Sequence, residues 1–339
     1  MAAPVVYPTS AQFSGVAKEV LTTPGTPVAM TAALLTDNFV WADTPIWLPD
    51  QAYRGVMGND SFNEIEGVYT CAVTCGGPVF ADTIGYVLGN ILGDITTTGT
   101  ASPFTHKISL MNPTSGAPTA QPTTHTLTAY NGVTPTVGAR QVPYSCFSQV
   151  VFDFDAAAGL LKWSGAATGW KSVPAGARPT ASPSAVKPQA SWIGTMGLGG
   201  TVIGAPIASI QTGKITINRE IEPEPVANGV QNPLAIARNG LSASFDLTFI
   251  AQDEAIYNYM INNTQPQIQL LFSSGANQQV QFDIQQASFQ KAVPDYGNKV
   301  VRWSTSGKCV FNSTNVGTTG GLAPIQATLV NAVASGTYV

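Results

Sequence analysis

The side chains of this sequence that could do chemistry are few: four cysteines, two histidines and two acidic clusters. Cys71 and Cys75 lie in the alternating run Tyr69-Thr70-Cys71-Ala72-Val73-Thr74-Cys75. A strand holds them on one face but about 13 Å apart, at ~3.3 Å per residue, which is too far for a disulfide. A metal site needs further Cys or His at tight spacing. His106, in Thr105-His106-Lys107-Ile108, and His125, in Thr123-Thr124-His125-Thr126, stand alone. Cys71, Cys75, Cys146 and Cys309 therefore read as buried free thiols, and both histidines as strand residues rather than acid–base catalysts.

The acidic and glycine-rich segments give no stronger signal. Asp153 and Asp155 share one strand face, as a catalytic carboxylate pair might, but no cleft pattern surrounds them, so a solvated face is the simpler reading. Glu220-Ile221-Glu222-Pro223-Glu224-Pro225 reads as an acidic turn, because the prolines spread its carboxylates. Gly194-Thr195-Met196-Gly197-Leu198-Gly199-Gly200 lacks the Lys-Ser/Thr of a phosphate loop and has Val202 where a dinucleotide fingerprint needs its third glycine; it reads as a flexible or tightly packed loop. Asn262-Asn263-Thr264 and Asn312-Ser313-Thr314 match the glycosylation pattern, but the opening MAAPVVYPTS has neither the basic nor the apolar region of a secretory signal. No catalytic residue, metal or cofactor is expected.

Composition points the same way. Only 10% of the 339 residues are charged, against roughly 25% in an ordinary soluble domain. The apolar share is an ordinary 44%, so small neutral residues replace the missing charge, which argues against disorder. No stretch approaches the ~18 apolar residues of a membrane-spanning helix. A surface so poor in charge suits a chain covered by copies of itself. Residues 1–170 carry 5 basic and 11 acidic side chains (net −6), and residues 171–339 carry 10 and 8 (net +2). No Lys/Arg run provides a nucleic-acid footprint.

The elements that carry these residues occur in two similar sets. In the second half, Leu241, Ala243, Phe245, Leu247 and Phe249 alternate with Ser242, Ser244, Asp246 and Thr248, the pattern of a half-buried strand. A helix capped by Asp253 follows, with Ile256, Tyr259 and Met260 on one face; then come a hairpin over 268–284 and a strand over 300–304. In the first half, a strand opened by Gly67 puts Tyr69, Cys71, Val73 and Cys75 on one face. Its helix carries Phe80, Ile84, Val87, Leu88 and Ile91, with Pro78 in the first turn and Gly93 at its end. Strands over 106–110, 124–130 and 146–155 precede Leu160-Leu161-Lys162-Trp163-Ser164, which matches Val300-Val301-Arg302-Trp303-Ser304. Trp163 and Trp303 are the expected repeat-core residues of a duplication, with a longer insertion in the first half. A competing register aligns 149–153 with 279–283.

The expected organisation is an N-terminal arm over 1–50, a first domain over 51–172, a linker over 173–212 rich in Pro, Ala, Gly and Ser, a second domain over 213–312 and a C-terminal arm over 313–339. Trp41 and Trp47 in the first arm are expected to lie against a neighbouring surface.

The strand-into-helix run 240–262 resembles the core of bacteriophage tail tube proteins, the major tail proteins of long-tailed phages. So do the preceding Gly213-Lys214-Ile215-Thr216-Ile217-Asn218-Arg219-Glu220 and the Ala237-Arg238-Asn239-Gly240 that follows the acidic segment. Pro49-Asp50-Gln51-Ala52-Tyr53-Arg54-Gly55 and the 66–94 segment are similar to the N-terminal part of such proteins. The resemblance implies a mainly β fold of two similar β-sandwich or partial-barrel domains, each flanked by one helix. It implies a structural virion protein, assembled in the host cytoplasm, whose rings stack into the conduit for DNA ejection. Its partners would be itself, around the ring and between rings, and tail-tip, tape-measure and tail-terminator proteins; DNA would pass without specific binding, and no membrane would be spanned. Single-domain tube proteins form rings of six, so a duplicated chain implies a trimer with pseudo-sixfold symmetry in preference to a hexamer. Thr70, Ala72, Thr74, Ser242, Ser244, Asp246 and Thr248 are the candidate lumen-lining residues. Other classes compatible with the composition are a capsid decoration protein, an adhesin-like sandwich and a carbohydrate-binding module.

Overall fold

The computed structural model describes residues 12–52, 54–55, 57, 63–131, 139–157, 159–179, 184, 186–199, 207 and 209–339. Within them the chain is mainly β, with antiparallel sheets and two short helices. The first half runs β1 (Gln12–Lys18), β2 (Ala32–Ala33), β3 (Asn38–Asp50), β4 (Asn63–Pro78), α1 (Ile84–Ile91), β5 (Gly93–Thr98), β6 (Phe104–Leu110), β7 (His125–Asn131), β8 (Arg140–Asp155) and β9 (Lys162–Gly169). After β10 (Val173–Pro174) and β11 (Gly194–Leu198), the second half runs β12 (Ile210–Glu224), β13 (Ala235–Ile250), α2 (Ala255–Ile261), β14 (Ile268–Gly275), β15 (Gln278–Ile284), β16 (Ala287–Asp295) and β17 (Arg302–Cys309), and closes with β18 (Gln326–Asn331).

One layer is a long run of pairings, β3-β4-β9-β8-β12-β13-β17-β16. The other is β11-β14-β15-β18-β6-β5; β7, β1 and β2 follow one another from the start of β8 and so continue the sheet of the long run. β8 pairs β7 along its start and β12 along its end, and it bends at the bulge around Tyr144, whose φ is +53°. The buried Glu19 carboxylate holds that corner. It accepts from the Tyr144 amide at 2.7 Å, the Gly25 amide at 2.7 Å, and the Thr124 and Thr126 hydroxyls at 2.6 and 2.8 Å. These four donors satisfy a charge that would otherwise be costly to bury.

The long layer repeats its own pairing pattern. Trp163 of β9 stands opposite Gly77 of β4, and Trp303 of β17 stands opposite Phe249 of β13. β8 skips a residue between Phe147 and Gln149 against β9, and β16 skips one between Phe289 and Lys291 against β17. Pairing of β3 with β4 shifts between Pro45 and Trp47; pairing of β12 with β13 shifts between Arg219 and Ile221. Bulges cost ladder hydrogen bonds and bend a strand, so two at equivalent places in each half are specific features of the pattern. This pairing sets Phe147 against Phe289 and Asp153 against Asp295; it follows the Trp match and not the alignment of 149–153 with 279–283. Between α1 and β8 the first half has three strands, β5, β6 and β7, where the second half has two, β14 and β15, between α2 and β16.

Alternation builds the core. Phe245, Leu247 and Phe249 on β13, with Phe152 and Phe154 on β8, turn to the second layer and are at most 5% exposed. Phe152 lies 4.6 Å from Phe282 and Phe154 5.2 Å from Phe272, centroid to centroid, so a first-half strand packs on second-half strands. One hydrophobic cluster spans both halves. Each buried Phe contributes roughly 1.5–3 kcal/mol.

Several local expectations change. Pro78 ends β4 instead of opening the helix, which starts at Ile84. Glu220–Glu224 continues β12 as strand rather than turning. Gly194–Leu198 is β11, not a loop; a Cβ on Gly194 would meet the Phe272 ring at 2.7 Å, so its glycine permits that strand pairing. Val300 and Val301 precede β17 rather than joining it. The terminal segments enter the sheets: β3 pairs β4, and β18 lies between β15 and β6 with Ala327 and Leu329 fully buried.

Candidate functional site: a polar sheet face between two open edges

The long layer buries one face against the second layer and leaves the other uncovered. On β4, Thr70 is half-buried and Ala72 and Thr74 are exposed; on β13, Ser242 and Asp246 are exposed and Ser244 and Thr248 half-buried. All seven point away from the core, because Cys71, Val73, Cys75, Ala243, Phe245 and Leu247 occupy the alternate positions on the buried side. Through the Trp163 and Trp303 pairings, Ala72 corresponds to Ser244 and Thr74 to Asp246. The residues singled out on the two strands thus share one face at equivalent heights.

The same face carries cations that sequence reasoning left out. Along one level, Lys162 of β9 stands opposite Asp153 of β8, Asp153 opposite Lys214 of β12, and Lys214 opposite Asp246 of β13. Ser306 follows on β17 and Lys291 on β16. Asp153, Lys214, Asp246, Thr248 and Lys291 border a shallow hollow there. Two levels along, Gln149 Nε2 donates to Asn218 Oδ1 at 2.8 Å. The alternation Lys214-Ile215-Thr216-Ile217-Asn218 was the available signal for this row. Charges that alternate in sign across neighbouring strands leave little net field over the face. Lys162 and Asp37 form an exposed ion pair at 3.7 Å.

The two tryptophans differ. Trp163 is 4% exposed and packs edge-on to Phe147. Trp303 is half-buried, stacks on Tyr257 of α2, and donates its indole N–H to the Asp253 carbonyl at 3.0 Å. Trp41 is half-buried, with the Arg140 guanidinium 5.6 Å from its ring, whereas Trp47 is 51% exposed.

The groups capable of chemistry are tied into the core. Cys71, Cys75, Cys146 and Cys309 are buried free thiols, and burial pushes Cys71, Cys75 and Cys309 up to about 12. His125 is held down at about 4, chiefly by burial. Its Nδ1 accepts from Asn90 Nδ2 at 2.8 Å, and its Nε2–H donates to the Tyr338 carbonyl at 3.0 Å. Burial also lowers His106, which sits between Thr97 and Asn331 at 2.8 and 3.1 Å. Among the described residues no cluster of three His, Cys, Asp or Glu side chains could hold a metal ion, and no helix is long and apolar enough to cross a membrane.

The layer ends in two strands with one neighbour each among the described residues: β3 pairs only β4, and β16 only β17. Exposed apolar side chains mark both. Val40 is 51% and Val293 46% exposed, and Tyr296, just past β16, is 74% exposed. Open, weakly charged edges are templates for further strand pairing.

A two-layer β-protein with one polar sheet face and two open edges has the build of a structural subunit. The chain belongs to the phage tail tube protein family, whose model matches residues 22–329. It is accordingly a structural component of the bacteriophage virion, in the tail. No curated protein matches the chain.

Proposed function

We propose that this protein self-assembles into closed, stacked rings that form the wall of the tail tube, with the uncovered polar face turned to the lumen through which DNA is ejected. The observation that carries this reading is the pair of open edges. β16 ends the layer as β8 ends its first half, and β3 begins it as β12 begins its second half. The contact needed between chains thus has an internal precedent in the β8–β12 pairing. A junction between unlike surfaces closes into a ring when its rotation divides the circle.

Duplication favours three chains over six. Eight strands per chain give twenty-four in a trimer. At ~4.8 Å spacing that is a cylinder ~37 Å across before strand tilt widens it, whereas six chains would give ~73 Å. The smaller bore is the closer match to a single duplex. The six domains of such a trimer are the two halves of each chain, expected over 51–172 and 213–312, with β3 (Asn38–Asp50) added to the first, and they share one core within each chain.

Thr70, Ala72, Thr74, Ser242, Ser244, Asp246 and Thr248 are then lumenal, beside the Lys162–Asp153–Lys214–Asp246 row. Alternating charge offers phosphates no continuous cation track, so DNA slides past without specific binding. Tail-tip, tape-measure and tail-terminator proteins are the partners proposed for tube ends and lumen, with assembly in the host cytoplasm and no catalysis or cofactor. Negative-stain microscopy of the purified chain, alone and with tail-tip proteins, tests this. Rings or tubes of uniform diameter are expected; a monodisperse monomer at high concentration in every salt, with and without tip proteins, contradicts it.

A further inference from the structure

We infer that the contact between copies repeats the β8–β12 contact residue for residue, so that β16 of one copy pairs antiparallel with β3 of the next in one defined register. This deepens the proposed tube assembly and rests on it.

The register follows from the internal repeat. The bulges after Phe147 and Phe289 and the Trp163 and Trp303 pairings make Asp153, Val151 and Gln149 of β8 the counterparts of Asp295, Val293 and Lys291 of β16. β3 is matched to β12 through β4 and β13. Val40 stands opposite Thr74 as Lys214 stands opposite Asp246, and Ala42 opposite Ala72 as Thr216 stands opposite Ser244. Thr44, opposite Thr70, matches Asn218, opposite Ser242. Inside the chain, Asp153 pairs with Lys214, Val151 with Thr216 and Gln149 with Asn218. Between copies, Asp295 therefore faces Val40, Val293 faces Ala42, and Lys291 faces Thr44.

The edges suit this use. On β3, Val40, Ala42 and Thr44 are exposed and uncharged; β16 carries the charge of the junction, with exposed Lys291 and Asp295 set opposite Thr44 and Val40. Pro294 stands where β8 has Phe152, and its missing N–H costs the junction one ladder hydrogen bond at most. A second copy is the occupant because it alone carries both edges in matching register.

Cysteine pairs test the register. β3 and β16 lie seven strand spacings apart in one chain, ~34 Å, so any disulfide between them joins two chains. The four native cysteines are buried and leave the background low. Directly opposite Cβ atoms are ~4.5–5.5 Å apart and diagonal ones ~7–8 Å, while a disulfide needs ~3.5–4.5 Å. The pairs A42C/V293C and T44C/K291C are each made in the full chain, with V151C/T216C as the internal reference. Mild oxidation of assembled protein should join chains into a covalently closed multimer at both predicted pairs. The offset pairs V40C/V293C and T44C/V293C should link at least tenfold less. Wild-type rings with preferential linking at an offset pair, or with linking at neither predicted pair while the reference forms, refute the register and leave the assembly reading standing. Absence of rings or tubes from the wild-type chain instead removes that reading and the inference with it.

Discussion

β8 and β16 hold equivalent places in the two halves, with the same bulge and the same Trp-bearing neighbour, yet their surroundings differ. β8 has β12 beside it, and Phe154 is 5% exposed under the second layer. β16 has no second neighbour among the described residues, and Tyr296, which follows Asp295 as Phe154 follows Asp153, is 74% exposed. β12 and β3 differ likewise: Ile215 is 2% exposed, and its counterpart Trp41 is half-buried. Where the chain supplies the neighbour, the aromatic and aliphatic side chains are buried. Where it stops, they are left at the surface. In the proposed ring, another copy covers these side chains.

Truncating the aromatic at each edge should separate the two strands most clearly. Phe154→Ala removes a ring packed on Phe272 and is expected to cost about 3–5 kcal/mol of chain stability, read from denaturant unfolding. Tyr296→Ala is expected to leave unfolding of the isolated chain within about 0.5 kcal/mol of wild type while weakening ring formation. Equal losses of chain stability would show that Tyr296 is an intrachain core residue and that the two edges are not equivalent.

Acid acts on the first half, where both histidines lie. His125 stays neutral in the folded chain down to about 4, while unfolded it takes a proton near its ordinary 6.5. The unfolded chain therefore binds more protons between those values. The stability linked to this group is present above pH 6.5 and lost as pH falls towards 4, by about 3 kcal/mol in all. Burial of His106 acts in the same direction. Melting across pH 7.5 to 4.5 should show the slope, and His125→Gln should flatten it. An unchanged slope would mean that carboxylates alone govern acid unfolding.

Salt gives the smallest effect. The net charges of −6 over residues 1–170 and +2 over 171–339 bring unlike charge together wherever a second half meets a first half. Exposed pairs contribute only ~0.2–1 kcal/mol each, so assembly should weaken modestly as salt rises. Assembly that strengthens with salt would assign the junction to apolar burial.

Strands with long, one-sided alternation were legible in the sequence. β13 declares both its faces through Leu241–Phe249 and Ser242–Thr248, and the β14–β15 hairpin shows as two apolar runs around Gly275. β3 was not, because Pro45, Pro49 and the exposed apolar residues Val40, Ile46, Trp47 and Leu48 mask its alternation. Proline is tolerated there because the strand is an edge. β18 was hidden by its length: six residues with Ala327 and Leu329 inward are too few to separate a strand from a Gly/Thr-rich tail. On the polar face, the serines, threonines and Asp246 follow from alternation alone. The opposition of Lys214 to Asp153 and Asp246 depends on pairing between distant strands, which a single sequence does not encode locally.

In the proposed ring, two halves of one chain do the work of two subunits. Native mass spectrometry of isolated rings, read together with the rotational symmetry of their end-on view, tests it most directly. Three chains of 35.3 kDa per ring, with six similar lobes around the axis, is the predicted result. Six chains per ring, with twelve lobes or with one lobe per chain, would contradict it.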